Sequence, residues 1–490
     1  MAKISTVSLM IELDRSSTTP LYRQIAAKIR QDIVSEKLQK RDRLPSIRAL
    51  SAELHVGHVT VERAYKQLSM EGLVASEPKS GYRVSAVDAE LHAQLPNSLK
   101  PSVQRSMQER HKGETGYAHA SQNSLPYDFS YVNLQPGSFP LKAFQKIMHD
   151  MFATLDDSNL VCYEDISQAN HLQKQLAILL GKTRGVRCLP EQIVLETGAN
   201  AGIGAILRLF NRDAHAIGVE EPGLTNVHET AELNGFRHYP IPGYLGDEAY
   251  FSELDRIGPK VVYSTPSHQF PTGRLMPLDF RMRLLEWAEE HNAYIIEDDH
   301  DNEYHYEDSS IPSLQSLDVN NRVVYVGSMS QALSPSLRIA YIVLPPKLLG
   351  RYNRMSNGPA NVAWVMQETL ARFIEQGYWG PHVRRMAHGN KLRRDKLMAA
   401  LDREFGKRVD VSGTQSGHYV LVRVQNDMSA QELVSSARKH GVSVYATDHF
   451  WYSGAPASPE IMLGYSSIQV EDIAEGVRRL SRAWFPEGEA

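Results

Sequence analysis

Three acids in a row close an apolar run at Ile295-Ile296-Glu297-Asp298-Asp299. Such a run reads as a buried strand, and at least one carboxylate then sits at its carboxyl end, where open α/β sheets bind ligands. On their own the acids fit a helix cap or a solvated surface better. Their company changes that balance. Thr197-Gly198-Ala199-Asn200 stands between an apolar run and a helical pattern, Pro266-Ser267-His268-Gln269-Phe270-Pro271-Thr272-Gly273 follows a second run, and Ser328, Ser330 and Arg338 flank a third. Glycine and small hydroxyl residues at a helix N-terminus, with an arginine nearby, make a cup for a phosphate. The chemistry these residues suit is the holding of a phosphorylated ligand beside a carboxylate.

A second constellation lies near the other end of the chain. Leu44-Pro45-Ser46-Ile47-Arg48 and Thr60-Val61-Glu62-Arg63-Ala64-Tyr65 carry cations and small polar groups suited to a phosphate backbone and to base edges. The elements that must position them are legible. Leu21, Ile25, Ile29 and Ile33 recur at steps of four and predict a first helix over 20–36. Ser46 is a good N-cap for a second helix running to about Leu54, and His55-Val56-Gly57 supplies a turn. A third helix puts Val61, Ala64, Tyr65 and Leu68 on one stripe and His58, Thr60, Arg63, Lys66 and Gln67 outward, until Gly72 stops it. Leu73-Val74-Ala75 and Tyr82-Arg83-Val84, around Glu-Pro-Lys-Ser-Gly, predict a two-stranded wing. Helix, helix, turn, helix and hairpin is the winged helix-turn-helix plan, whose third helix enters the major groove of double-stranded DNA.

Composition sets the bounds. The 490 residues, 42% hydrophobic and 22% charged, suit an ordinary multidomain globular protein. The net charge of −4 hides an asymmetry: residues 1–85 carry 14 Lys and Arg against 9 Asp and Glu, and the rest carry 39 against 48. A small basic module, suited to a polyanion, precedes a large acidic one. No apolar run approaches the ~18 residues needed to span a bilayer. Glu12 and Asp14 follow the short apolar N-terminal patch too closely for a signal peptide. A cytoplasmic protein, on the nucleoid when bound to DNA, with no membrane partner, is expected. Cys162 and Cys188 make no disulfide framework or metal-ligand spacing and are expected to be packed thiols.

Residues 86–126 are polar and aperiodic, as a linker is. From Tyr127 strands and helices alternate, with strands expected at 192–196, 215–219, 261–265, 293–297, 323–327 and 338–344 and helices near 200–210, 223–234 and 278–291. That pattern predicts a mostly parallel α/β sheet. Residues 359–404 read as helical, and a small α+β subdomain, about 405–490, has strands near 418–424, 442–446 and 460–465. The expected division is a DNA-binding domain over 1–85, a linker over 86–126 and a ligand-binding domain over 127–490.

The motifs of residues 20–85 resemble the GntR-type DNA-binding domain. That resemblance implies that Arg43, Ser46 and Arg48 approach phosphates and bases, that the N-terminus of the third helix reads base edges, and that Gly81 lets the wing near the minor groove. It also marks a departure: His58 stands where the family usually has arginine and lacks arginine's bidentate guanine contact, so a different or more weakly bound operator is expected. Residues 127–484 resemble class I aminotransferases of the pyridoxal-phosphate fold type I. Arg184-Gly185-Val186, the stretch Gly377 to Met386 with His382 and Arg384-Arg385, and Gly441-Val442 add to the match. Together the two halves resemble MocR/GabR-type regulators, which implies a head-to-tail homodimer whose large domain senses a small-molecule effector and alters how two DNA-binding heads are presented.

Carried over residue by residue, the match is uneven. Asp298 falls on the acid that pairs with the pyridine nitrogen, and Gly198, Ala199, Asn200, Ser328, Ser330 and Arg338 fall on the phosphate cup. Gln331 falls where the resemblance implies the lysine that captures the aldehyde, His300 on the tyrosine that meets the ring hydroxyl, and Leu224 on a ring-stacking tyrosine. Met462 falls near an arginine kept for the substrate carboxylate. A glutamine amide is neither nucleophilic nor titratable near pH 7. Loss of general acid–base function alone typically costs ~10²–10⁴-fold in rate. A cup of charge-assisted hydrogen bonds, each worth roughly 1.5–3 kcal/mol, still suits a phosphorylated ligand. The expectation is a DNA-binding transcriptional regulator without transaminase activity, holding pyridoxal phosphate or pyridoxamine phosphate non-covalently or not at all. The competing readings are an aminotransferase with an accessory DNA-binding domain, and a large domain that only spaces the two heads.

Overall fold

The computed structural model describes residues 9, 11, 13–14, 19–35, 37–39, 41–77, 81–85, 125–155, 158–162, 168–210, 216–243, 247–304, 306, 312–355, 362–454 and 458–486. Residues 86–124 of the expected linker and the wing tip at 78–80 lie outside these. The chain divides into two compact units, Met1–Thr115 and Gly116–Ala490.

In the first unit, α1 (Leu21–Val34), α2 (Ile47–Glu53) and α3 (His58–Met70) precede the strands β1 (Val74–Glu77) and β2 (Gly81–Val84). Ser46 caps α2, its Oγ accepting the Ala49 amide at 3.1 Å. The α3 stripe of Val61, Ala64, Tyr65 and Leu68 is fully buried against Ile25, Ile29 and Leu50. The Tyr65 hydroxyl donates to the Pro45 carbonyl at 2.8 Å, tying the recognition helix to the Leu-Pro-Ser turn. Gly72, at φ +74, lets the chain leave α3. Antiparallel pairing of β1 with β2 puts Val74 opposite Val84, both in the core.

The second unit carries a large sheet and a small one. After β3 (Tyr127–Asp128) come β4 (Ile193–Glu196), β5 (Ala216–Glu221), β6 (Arg237–Pro242), β7 (Val261–Ser264), β8 (Tyr294–Asp298), β9 (Val323–Ser328) and β10 (Ala340–Val343). Their order is β4-β10-β9-β8-β7-β5-β6. β10 alone runs antiparallel to its neighbours. All six expected strands are present, with ends within two residues of expectation. The sequence reading missed β6. Its Pro240 and Pro242 argue against a strand, yet they are tolerated because β6 is at the sheet edge. Helices Leu141–Thr154 and His171–Arg184, also not anticipated, pack with Trp364–Glu375 around an apolar cluster that includes Phe144, Leu176 and Phe373.

The small sheet has the order β11 (Val409–Ser412), β12 (Tyr419–Val424), β15 (Glu460–Gly464), β14 (Tyr445–Ala446), all antiparallel. β13 (Val442–Ser443) instead pairs in parallel with β3. Helices Ala430–Lys439, Ile473–Trp484 and the end of Trp379–Phe405 bury Leu433, Leu480 and Leu401 in its core. Among the described residues no helix is long and apolar enough to cross a membrane. Cys188 is a packed thiol as expected, half-buried against the Phe144 cluster with burial pushing it up to about 11, whereas Cys162 departs from expectation and is exposed.

Candidate functional site

Sheet register gathers the cup. β10 pairs Ala340 with Glu196 on one side and with Ser328 on the other, so Arg338, just before β10, meets the residues that follow β4 and the end of β9. Gly198 is the N-cap of helix Ala199–Arg208 at φ +108, and a Cβ there would fall 2.1 Å from an Nη of Arg338. The same guanidinium donates to the Thr197 carbonyl at 3.2 Å. Ser328 Oγ donates to Ser330 Oγ at 3.0 Å and accepts the Ser330 amide at 3.1 Å. Asn200 accepts a short hydrogen bond from the Asn226 amide at the start of the next helix. Gly198, Ala199, Asn200, Ser328, Ser330 and Arg338 thus share one end of the sheet, with a cation and a helix N-terminus facing the same space, as a phosphate requires.

The three acids divide by strand alternation. Glu297 turns one way and accepts the Leu314 and Gln315 amides at 2.6 and 2.8 Å. Asp299, on the same side, pairs with Arg184 at 2.7 and 3.0 Å and accepts the Tyr325 hydroxyl at 2.6 Å. Burial raises the Asp299 carboxyl, but Arg184 outweighs it and holds the group below its usual range. Asp298 points the opposite way and accepts the Tyr263 hydroxyl at 2.7 Å. Burial, aided by Asp299 and Asp301 and opposed by Tyr263, pushes Asp298 up to about 7. A buried carboxylate of this kind is stabilised by a cationic ring nitrogen, so cup and acid together fit a phosphopyridine.

Gln331 follows Ser330 in the loop that leaves β9. Its main-chain oxygen accepts the Tyr304 hydroxyl at 2.6 Å, and its side-chain Oε1 is buried without a hydrogen-bond partner. The His382 Nε2 donates to the neighbouring Ala332 carbonyl at 2.8 Å and pins the loop. Leu224 caps helix Thr225–Leu233 and packs beside Phe270, Tyr419, Phe450 and Met462. Met462 is fully buried in that apolar cluster, so its position offers a carboxylate nothing polar. His300 is partly buried, its ring 5.9 Å from Phe270 and 5.6 Å from His268, and burial pulls its imidazole down to about 4.

Several residues here escaped the sequence reading. Arg184 lay inside a motif noted only as a match, and Asp301 lies two residues past the acid run. His418 gave no local signal at all. Its Nε2 donates to the Tyr131 carbonyl at 2.5 Å and its Nδ1 is 2.9 Å from Asp301. Burial opposes charge on both groups, yet each partner favours the other's ionised form, raising His418 and holding Asp301 well below the carboxylate range.

On the first unit, Arg48, His58, Arg63 and Lys66 are exposed, and Thr60 and Arg43 are partly so. Lys66 pairs with Glu62 at 2.9 Å on the surface of α3. Gly81 opens β2 at φ +91, with nothing near where a Cβ would stand.

Residues 21–84 match the family model of bacterial regulatory proteins, gntR family, and residues 130–477 match aminotransferase class I and II. The HTH-type transcriptional regulator YdeL of Bacillus subtilis is 34% identical over 476 residues, covering 96% of this chain and 98% of its own. The probable rhizopine catabolism regulatory protein MocR of Rhizobium meliloti is 29% identical over 481 residues, covering 97% and 96%. The chain belongs to the MocR-type transcriptional regulators of the GntR family. The regulator therefore binds DNA through its winged helix-turn-helix. Its aminotransferase fold is that of Pyrococcus horikoshii kynurenine aminotransferase, solved with PMP, at TM-score 0.66 and 22% identity, covering 82% of this chain and 99% of that one. LysN, the alpha-aminoadipate aminotransferase of Thermus thermophilus, complexed with N-(5'-phosphopyridoxyl)-L-leucine, gives 0.65 at 26%, covering 74% and 92%.

Proposed function

We propose that the regulator's large unit is an effector sensor that holds a phosphopyridoxyl ligand without covalent capture and without transaminase activity. The observation that carries this reading is Gln331, an amide with a buried, unpartnered oxygen in the loop that also supplies Ser330 to the cup. Pyridoxal phosphate, when bound, supplies an electron-withdrawing ring that makes the carbon–hydrogen bonds of an attached amine acidic. Using that ring requires a protein amine to capture it and then move protons between carbons, and an amide does neither. Gly198, Ala199, Asn200, Ser328, Ser330 and Arg338 would hold the phosphate, Asp298 the ring nitrogen and His300 the ring hydroxyl, while Leu224 offers an apolar surface to the ring. In the DNA-binding head, Arg43, Ser46, Arg48, Arg63 and Lys66 would grip phosphates, His58 and Thr60 would read bases, and Gly81 would let the wing approach. A homodimer would present two such heads, and occupancy of the cup would change their presentation.

The test is incubation of the full-length protein with pyridoxal phosphate and borohydride, followed by intact mass measurement. The expected mass is unchanged, while a thermal shift reports reversible binding of the ligand. A reduced adduct on any lysine, or keto-acid formation lost on Asp298→Ala, overturns the reading in favour of an aminotransferase with an accessory DNA-binding domain.

A further inference from the structure

We propose that His268, His300 and Asp301 form a binding site for a transition-metal dication of the zinc class. His268 lies in the turn after β7, and His300 and Asp301 lie in the turn after β8. One ligand atom from each falls within 4.8 Å of the other two. His268 is 0% exposed and Asp301 1%. Both nitrogens of His300, Nε2 of His268 and Oδ1 of Asp301 are buried without a hydrogen bond, while Asp301 Oδ2 lies 3.4 Å from His268 Nδ1 and 2.9 Å from His418 Nδ1. Four such atoms at one place are unusual, because buried polar groups are almost always satisfied. A single cation would take two nitrogens and an oxygen at once.

The donor set selects the metal. Two neutral imidazoles and one carboxylate suit zinc and its neighbours, whereas magnesium and calcium prefer oxygen alone. Three protein ligands leave a fourth position open to water or to a ligand oxygen.

The surroundings hold the three groups in place. Asp301 sits in the left-handed region at φ +59, and its Oδ2 lies 3.4 Å from His268 Nδ1 and 3.8 Å from His300 Nε2. His418 stands 2.9 Å behind that carboxylate, and its Nε2 is anchored on the Tyr131 carbonyl, an outer partner of the kind that orients metal ligands. Gly417 makes room for His268, since a Cβ there would lie 2.4 Å from the imidazole Cε1. Ligand atoms around tetrahedral zinc are about 3.3 Å apart, so binding draws the side chains inward by about 1 Å. His300 is decisive: a tyrosine there, which the family resemblance implies, would leave only two ligands.

The experiment uses full-length protein dialysed against EDTA and then titrated with ZnCl2 and CoCl2. One metal per chain, a visible Co2+ absorption band and a raised melting temperature are expected, with no competition from excess MgCl2. His300→Tyr should fold, judged by its metal-free melting temperature, and should bind Zn2+ roughly 100-fold more weakly or worse. His268→Asn should lose the Co2+ band. Absence of stoichiometric Zn2+, or equal Zn2+ affinity in His300→Tyr, overturns the proposal and leaves the cluster as a hydrated hydrogen-bond network.

Discussion

Ser51 Oγ lies 2.8 Å from Nδ1 of His58 and 3.1 Å from the main-chain oxygen of Arg48. A carbonyl only accepts, so when the hydroxyl hydrogen goes to Arg48 the neutral imidazole donates its Nδ1–H to Oγ. That leaves Nε2 as an acceptor on an exposed side chain at the first position of α3. In the major groove an acceptor pairs with the amine of adenine or cytosine, whereas arginine reads guanine. Operator selection with the full-length protein should therefore enrich adenine or cytosine at the base facing His58, and His58→Arg should shift it to guanine. Ser51→Ala frees the tautomer and should lower discrimination at that base by about 1 kcal/mol. Guanine preferred by the parent protein would contradict this assignment.

Gln331→Lys puts an amine beside the cup. With pyridoxal phosphate the variant should gain absorbance near the visible edge and a borohydride-stable mass increase, while the parent gains neither. An equally modified parent would mean that another lysine serves.

Gly198→Ala drives a methyl group into the Arg338 guanidinium at a backbone angle, φ +108, that disfavours side chains. Calorimetric affinity for pyridoxal phosphate should fall about tenfold or more, ~1.4 kcal/mol. Unchanged affinity would place the phosphate elsewhere.

Arg184 and Asp299 form an ion pair whose side chains are 3% and 0% exposed. Removing one partner strands the other charge, at a cost of about 3–5 kcal/mol. Arg184→Gln and Asp299→Asn should each lower the urea midpoint of the large unit accordingly, and the double variant should cost less than their sum.

Burial, with His238 beside it, pulls His228 down to about 4. Its ring stacks on Tyr452 with centroids 5.0 Å apart. An unfolded histidine titrates near 6.5, so between those values the unfolded chain binds the proton more tightly. The contribution of neutral His228 is full above pH 6.5 and is lost progressively as the pH falls toward 4, on the order of 3 kcal/mol in all. His228→Phe, which keeps the stack, should flatten that part of the stability profile in denaturation series between pH 7 and 4.5. An unaltered profile would show that His228 is protonated in the native state.

What could be read from the chain directly was whatever neighbours in sequence encode. The buried stripe of α3, the cap at Ser46, the six central strands and the division into a basic head and an acidic body all came from periodicity, turn chemistry and charge. Segments whose local signal is mixed were missed, as with β6, whose prolines are acceptable only because the sheet ends there. The cup residues were legible singly, but their meeting depends on β10 running antiparallel between β4 and β9, which no local pattern states.

By itself, then, the amino-acid sequence determined the two architectures and the residue types available at each strand end, because helical and strand periods are short-range properties of the backbone. Tertiary structure alone decided which of three consecutive acids faces the cup, since that required Arg184 to claim Asp299 and the Leu314 and Gln315 amides to claim Glu297. It alone also brought His418 and His268 to Asp301. Those residues lie on separate loops, and their approach is set by strand register and chain closure, which act at long range.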